Sequence, residues 1–379
     1  MAGRSNGGQQ KGKIRYAVVG LGYFAQMSIL PAFAHAGKNS ELAALISSDK
    51  TKLKKLSAKY GVEYRGSYDK FEDCLKKANV DAIYLATPNS LHREYTVRAA
   101  RAGVHVLCEK PMAVTEEECE EMIHACDKNK VKLMIAYRLH FEKGNLSAAE
   151  VVRSGKLGAP RIFNSIFTMQ VRDKNNIRIR REMGGGAVYD IGVYCINAAR
   201  YIFASEPIEV SAMTANNGES RFSEVEEMAS VIMRFPDDRL ASFICSFGGA
   251  DAGSYEVIGT AGTLRMNPAY ESAEELKQAV TIKGKKRKRT FPKRDQVAPE
   301  ILYFSDCILN DREPEPSGQE GLIDVRIVSA IYQSAQTGKP IKLKLNGRDR
   351  YPDPRQEIRR PPAKKPDLVK AVPPSGKKE

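Results

Sequence analysis

The chain has 379 residues, enough to bury more than one core, so two domains are the default. Its 42% hydrophobic content is ordinary, and its most apolar stretch, residues 184–203, is broken by Asp190, Asn197 and Arg200, which excludes a membrane span. The net charge of +14 does not describe a nucleic-acid groove. Residues 1–15 carry four basic and no acidic side chains, 283–294 carry eight and none, and 351–379 carry eight against four, so the remaining body is close to neutral and no specific nucleic-acid partner is expected.

Residues 1–12, "MAGRSNGGQQKG", contain no apolar core of the signal-peptide kind and read as a flexible start to a cytoplasmic protein. From residue 13 to 137 short apolar strands alternate with helices of about ten to fifteen residues. The strands include "IRYAVV", "ELAALIS", "VEY", "DAIYLA", "HVLCEK" and "KLMIAY". That rhythm predicts a doubly wound parallel sheet, an α/β Rossmann domain covered on both faces.

Over 138–346 the rhythm changes. "RIFNSIFTMQV", "IEVSAMTAN", "MASVIMRF", "LASFICSF", "SYEVIGT", "GTLRMN" and "AVTIKG" follow one another with few intervening helices, which predicts an α+β domain with a large, mostly antiparallel open-faced sheet. Both faces of "MASVIMRF" and "LASFICSF" are largely apolar, while the helices suffice for one side only. The uncovered face is therefore expected to pair with another subunit in a homodimer or homotetramer. Residues 347–379 are basic and Pro-rich, and little order is expected there. The cysteines (Cys74, Cys108, Cys119, Cys126, Cys195, Cys245, Cys307) are scattered, with no CxxC pair or metal-ligand spacing, so they read as buried thiols and no metal is expected.

Chemistry enters at "GLGYFA", directly after the first strand and opening a helix. Gly20 permits a tight turn, Gly22 lets the backbone approach a pyrophosphate, and Ala25 lets helix pack on strand. At the end of the second strand, where an NAD enzyme offers an acid to the ribose, the chain reads "LISSDKTK". Ser47, Ser48, Lys50 and Lys52 suit a 2′-phosphate and favour NADP, while Asp49 leaves NAD open should it turn toward the ribose. The loops "ATPNSLH" and "CEKPM" follow two further strands and set Lys110 at the carboxyl edge of the sheet, where such folds bind ligands. In "GGGAVYDIGVYCINAARYIF", helical spacing puts Asp190, Tyr194 and Asn197 on one face and Ile191, Cys195, Ala198 and Ile202 on another.

"GLGYFA", "TPNSLH", "CEKP", "AYRLHF", "GGGAVYDIGVY", "VEEMASVIMRF" and "GLIDVRIVSAIYQSAQTGKP" occur in that order over residues 12–345. In this the chain resembles the Gfo/Idh/MocA family, and is most similar to the glucose-fructose oxidoreductase branch, with the D-x-x-x-Y pattern at Asp190 and Tyr194. The resemblance implies that Lys110, Asp190 and Tyr194 form the catalytic cluster and that these three, with Arg138, hold a sugar. It implies cofactor contacts from Gly20, Gly22, Tyr23, Phe24, Ala25, Ser47, Ser48, Lys52, Tyr68, Thr87, Pro88, Asn89, His92, Glu109, Lys110, Arg138 and Arg178. Where the branch places a tryptophan before an arginine, this chain has Ile177 and Arg178. Members working outside the cytoplasm also carry a long N-terminal arm over the cofactor, whereas about a dozen residues precede the first strand here, which leaves open whether NADP is held permanently.

Hydride transfer at a sugar carbon requires a proton to move on the attached oxygen, and a phenol beside the nicotinamide supplies the acid-base group. Lys110 would favour the phenolate, Asp190 would orient the lysine or a sugar hydroxyl, and the glycines would let the helix start pass close to the substrate. The expected activity is NADP-dependent oxidation of an aldose at C1 to the lactone, with return of the hydride to a second sugar. A one-way aldose dehydrogenase or anhydrofructose-type reductase is the alternative. The intact cluster speaks against a cofactor-binding sensor without catalysis.

Overall fold

The computed structural model describes residues 12–347 and 350–376. The expected flexible N-terminus therefore lies almost wholly outside the described residues.

The first sheet contains β1 (Ile14–Val19), β2 (Ser40–Ile46), β3 (Tyr64–Gly66), β4 (Ala82–Leu85), β5 (His105–Glu109) and β6 (Leu133–Ala136). They lie in the order β3-β2-β1-β4-β5-β6, every neighbour parallel. The helices between them are α1 (Leu30–Ala36), α2 (Lys50–Tyr60), α3 (Phe71–Lys77), α4 (His92–Arg101) and α5 (Glu116–Lys128). This is the expected Rossmann arrangement, with its order reversing between β1 and β4.

The second sheet has nine strands: β7 (Pro160–Thr168), β8 (Glu209–Ala215), β9 (Met228–Phe235), β10 (Arg239–Ser246), β11 (Ala252–Gly259), β12 (Gly262–Met266), β13 (Leu276–Ile282), β14 (Lys285–Phe291) and β15 (Ile341–Lys342). They run β14-β13-β12-β11-β7-β10-β9-β8-β15, and only β7 and β10 pair in parallel. On β9, Ala229, Val231, Met233 and Phe235 point into the core while Ser230, Ile232 and Arg234 point outward. The basic run forms the edge strand β14, where exposed lysines and arginines discourage another strand from adding to the sheet.

Four further helices complete the fold: α6 (Lys143–Arg153), α7 (Val193–Phe203), α8 (Ala298–Leu309) and α9 (Gly318–Thr337). Two of them serve the first sheet. Ile301 and Phe304 of α8 share a core with Tyr16, Val18, Tyr84 and Leu107, beside α1 and α2, and Ser305 Oγ bonds Tyr16 Oη at 2.9 Å and Ser40 Oγ at 2.8 Å. Leu322 and Val325 of α9 join the opposite face with α3, α4 and α5. All seven cysteines are buried and free, no helix among the described residues is long and apolar enough to cross a membrane, and no metal-holding cluster occurs among those residues.

The tail departs from expectation. Among its described residues the only regular element is a turn at Pro354–Gln356, yet residues 350–376 lie along the surface through specific contacts, such as Arg360 Nε to His35 O at 3.0 Å. Its polar groups find partners on the folded body, which outweighs the cost of ordering a Pro-rich chain already restricted in φ.

Asn197, expected on the polar face of α7, is buried. Its amide donates to Glu320 Oε1 at 2.8 Å and Asp324 Oδ2 at 3.0 Å, and its oxygen pairs with His140 Nε2 at 2.8 Å. Beside it the fully buried Arg200 is held by Glu206, at 2.5 Å, and by Glu320 and Asp324. Burial lifts the Asp324 carboxyl above the ordinary range, and Arg200 works against that lift. Arg200→Ala strands these carboxylates without their cation and should cost about 3–5 kcal/mol in urea-induced unfolding. A loss near zero would show that the network contributes nothing to stability.

Candidate active site

The cleft between the two sheets is lined by the glycine turn, by the loops after β4 and β5, and by the start of the α7 region. Gly20 has φ +93°, and a Cβ there would lie 2.4 Å from Ala86 O, so the turn needs glycine. A Cβ on Gly22 would meet no protein atom within 4 Å, leaving that side of the turn open to the cleft. Thr87 Oγ1, in the wall, is buried without a hydrogen-bond partner among the described residues. An open cradle beside an unmatched hydroxyl fits a dinucleotide.

Two single π-turns flank the cleft. One, Ala25–Ile29, precedes α1; the other, Val188–Gly192, precedes α7 and carries Asp190. The extra residue in each turn shifts the register that a regular helix would give, a distortion common at functional sites. Of the preceding glycines, Gly184 serves packing between domains: it has φ +72°, a Cβ on it would lie 2.6 Å from Val114 Cγ2, and its carbonyl accepts from Asn89 Nδ2 at 2.8 Å.

Asp190 binds two cations. Lys110 Nζ lies 3.0 Å from Oδ1 and 2.6 Å from the Asp190 carbonyl, while Arg178 Nε lies 2.6 Å from Oδ2. Burial disfavours the carboxylate, but Arg178 and Lys110 outweigh it and hold the carboxyl well below its ordinary range. Burial likewise opposes the Lys110 charge, and Asp190, Tyr194 and Glu109 more than restore it. The ammonium stands 4.8 Å from the centre of the Tyr194 ring. From β6's end, Arg138 Nε donates to Tyr194 Oη at 3.2 Å, and its other nitrogens are fixed by Gln296 and the Tyr270 carbonyl. Tyr194 thus has a cation on its oxygen and another over its ring.

Tyr23, Phe24, Ala25, Asn89, Glu109 and Arg178 also reach the cleft. Glu109 accepts from Tyr84 Oη at 2.8 Å, and Glu300 of α8 lies 3.4 Å from the same hydroxyl. Burial lifts both carboxyls, Glu109 raises the proton affinity of Glu300 further, and Lys110 draws Glu109 part of the way back. Pro88 opens the turn before α4. Ser47 Oγ accepts from the Asp49 N–H at 3.2 Å, Ser48 is exposed, and Lys52 stands half-buried at the start of α2. Asp49 does not turn toward the cleft; its Oδ1 caps α2, accepting from the N–H groups of Thr51 at 2.8 Å and Lys52 at 3.0 Å.

Two residues implied as cofactor contacts lie elsewhere. His92 is fully buried, with Nδ1 3.0 Å from Pro111 O and Nε2 3.1 Å from Thr87 O, bracing the two loops against each other. Tyr68 packs against Tyr95, the rings tilted at 43° with centroids 5.1 Å apart. Conversely, Phe167, Met169, Met183 and Ser272 line the cleft without any motif having marked them.

The family model described as an oxidoreductase family with an NAD-binding Rossmann fold matches residues 14–137, and the GFO/IDH/MocA C-terminal domain matches 145–265. The chain belongs to the GFO/IDH/MocA oxidoreductase family. It is 31% identical over 336 residues to a D-xylose 1-dehydrogenase [NADP(+)] of Haloarcula marismortui, covering 87% of this chain and 93% of that protein. Among solved structures it resembles aldose-aldose oxidoreductase from Caulobacter crescentus complexed with glycerol, with a TM-score of 0.83 and 39% identity, covering 87% of this chain and all of that one. A 3-ketoreductase from Actinomadura kijaniata, in complex with NADP and TDP-benzene, follows at TM-score 0.78 and 26% identity over 85% of this chain and 98% of that chain. This GFO/IDH/MocA member is thus an oxidoreductase whose Lys110, Asp190 and Tyr194 meet in one cleft.

Because the Asp190 carboxyl is depressed in the folded protein, its stabilisation is complete above the ordinary carboxylate range and lost as pH falls toward its own lower value. The stability gap between wild type and Asp190→Asn should therefore be full at about pH 7 and visibly smaller by about pH 3, below the usual carboxylate pKa of about 4. Urea titrations of both proteins at the two pH values measure it, and a pH-independent gap contradicts the ion-pair assignment.

Proposed function

We propose that the protein is an NADP-dependent sugar oxidoreductase that oxidises an aldose, a glucose-like pyranose, at C1 to the lactone and returns the hydride to a second carbonyl sugar. The observation that carries this reading is the Tyr194 hydroxyl, held by Arg138 and set beside Lys110 at the carboxyl edge of the first sheet. The choice of NADP is supported by relatives named for it and by Asp49, whose carboxylate is engaged as a helix cap and so is not offered to a ribose hydroxyl. Lys52 with Ser47 would hold the 2′-phosphate, and Gly20, Gly22 and Thr87 the phosphate bridge.

When bound, NADP supplies the hydride acceptor for C1. The remaining work belongs to the chain. Tyr194 Oη takes the proton from the C1 hydroxyl, and the two cations stabilise the charge on the oxygens between which it moves. Asp190 binds Lys110 through both its carboxylate and its carbonyl, which keeps the ammonium aimed at the ring. In the return half-cycle Tyr194 hands the proton to the carbonyl oxygen of the second sugar. A one-way aldose dehydrogenase is the second reading, favoured by the likeness to a D-xylose 1-dehydrogenase. Retention of NADP(H) through gel filtration favours the two-sugar cycle, and its loss favours the one-way enzyme.

Tyr194→Phe keeps the ring while deleting the oxygen. It should leave the fold and NADP affinity intact and lower kcat about 10²- to 10⁴-fold, with little change in KM. Lys110→Ala should do similar damage, and the double variant little more, since the two act as a unit. Near-normal reduction of bound NADP by an aldose in a single turnover of Tyr194→Phe would move the proton acceptor to Lys110 or Asp190.

We further propose that the protein is a homodimer or homotetramer through the outer face of the second sheet. Ile162, Ile166, Ile232, Leu240 and Ile244 stand there, each between 41% and 51% exposed, on adjacent strands. Light scattering should give a multiple of the chain mass, and Ile232→Lys should shift it toward the monomer. A wild-type monomer at micromolar concentration rules the assembly out.

A further inference from the structure

The end of the chain runs past the glycine turn and the end of β2 on its way to the second domain. Lys59 Nζ, on α2, donates to Asp367 O at 3.1 Å. Two residues on, the Val369 peptide is gripped at both ends by the side chain of Gln26, whose Nε2 donates to Val369 O at 3.0 Å and whose Oε1 accepts from Val369 N–H at 2.8 Å. Gln26 is 1% exposed and follows directly on the "GLGYFA" turn, to which its Nε2 is also tied through Leu21 O at 3.0 Å. Lys370 then places its ammonium 3.6 Å from Asp49 Oδ2. Beyond it, Pro373 and Pro374 are buried, and Pro374 O accepts from Arg172 N–H at 2.9 Å, in the loop after β7. Within eight residues the segment passes from the first domain to the second, across the rim where the adenosine half of a dinucleotide lies in such folds.

The charges at this crossing are unbalanced. Asp49 Oδ1 is engaged by two backbone N–H groups, and its one negative charge faces both Lys52 and Lys370. Desolvation lowers the proton affinity of Lys52, Asp49 opposes this, and Lys370 adds to the lowering. Two ammonium groups against one capped carboxylate leave room for an anion, and a phosphate dianion completes the cluster. Lys370 also neutralises the one carboxylate that would repel such a phosphate.

We infer that residues 367–376 form a strap across the adenosine half of the cofactor site, and that Lys370 is a second lysine, with Lys52, that selects NADP by its 2′-phosphate. The inference rests on the placement of that phosphate at the end of β2. Gln26 anchors the strap through main-chain hydrogen bonds alone, so it positions the segment without reading its sequence. The strap would slow cofactor release for NADP and NAD alike, whereas Lys370 would act on NADP only.

The test uses the full chain stripped of cofactor, with Kd for NADP and NAD from titration calorimetry and NADPH release followed by fluorescence on displacement. Lys370→Ala should weaken NADP about tenfold, the effect of one charge-assisted contact, and leave NAD within about twofold. Gln26→Leu, which keeps the volume and removes both anchoring atoms, should speed release of NADPH and NADH together. Lys52→Ala serves as the reference for the phosphate site. If Lys370→Ala binds and releases NADP as the wild type does while Lys52→Ala weakens it, the role of Lys370 is overturned and the phosphate site stands; if Gln26→Leu releases NADPH and NADH at the wild-type rate, the strap is overturned. If neither lysine matters, the placement of the phosphate falls, and the strap with it. Lys370 is exposed, so its removal leaves folding intact and the result readable.

Discussion

The Asp190 carboxylate is the constraint from which the rest of the cleft follows. One of its oxygens meets Lys110, which belongs to the first domain, and the other meets Arg178, which belongs to the second. Asp190 itself belongs to the second domain, so its bond to Lys110 spans the boundary, and drawing the domains apart would leave a largely desolvated ammonium and carboxylate without that contact. The pairing fixes Lys110, Lys110 fixes what faces the Tyr194 ring, and Arg138 reaches the same phenol from the end of β6. The site is a chain of mutual placements across the domain boundary, each side chain held by more than one contact.

Much of this was legible in the residues. Strand and helix rhythm separates the two sheets because buried parallel strands and open-faced antiparallel strands impose different apolar patterns. "GLGYFA" is readable because a tight turn and a close backbone approach need small residues at fixed spacing. The residues themselves put Lys110 at the carboxyl edge of the first sheet and Asp190 with Tyr194 on one helix face; that the three come together was implied only by the resemblance to the family. What escaped is what depends on contacts between distant segments. Spacing alone cannot show that Asn197 faces a buried arginine network, that His92 braces two loops, or that Phe167 and Ser272 line the cleft. The π-turn at Val188–Gly192 escaped for a different reason: a single inserted residue leaves no compositional mark, yet it changes which way Asp190 faces.

The tail illustrates the limit of composition as a guide. Proline and charge predict a segment that cannot build a core, and it builds none. Placement is a separate matter, because a segment without a core can still be fixed by hydrogen bonds from a body that has one. Here Gln26, Lys59, Arg172 and Glu315 supply them, from both sheets' domains.

The route of the backbone has a consequence for how the molecule is made. The face of the first sheet that carries Tyr16, Tyr84 and Leu107 is closed by α8, which is translated after the whole second sheet except β15. On the ribosome, the nascent first domain would emerge with that face covered only by α1 and α2 and with Glu109 lacking its neighbour Glu300. A chain arrested midway would therefore hold the glycine turn without the floor beneath it, and it would expose apolar strands to chaperones until the far helices arrived. Cofactor binding would then come late in biogenesis, as a property of finished polypeptides.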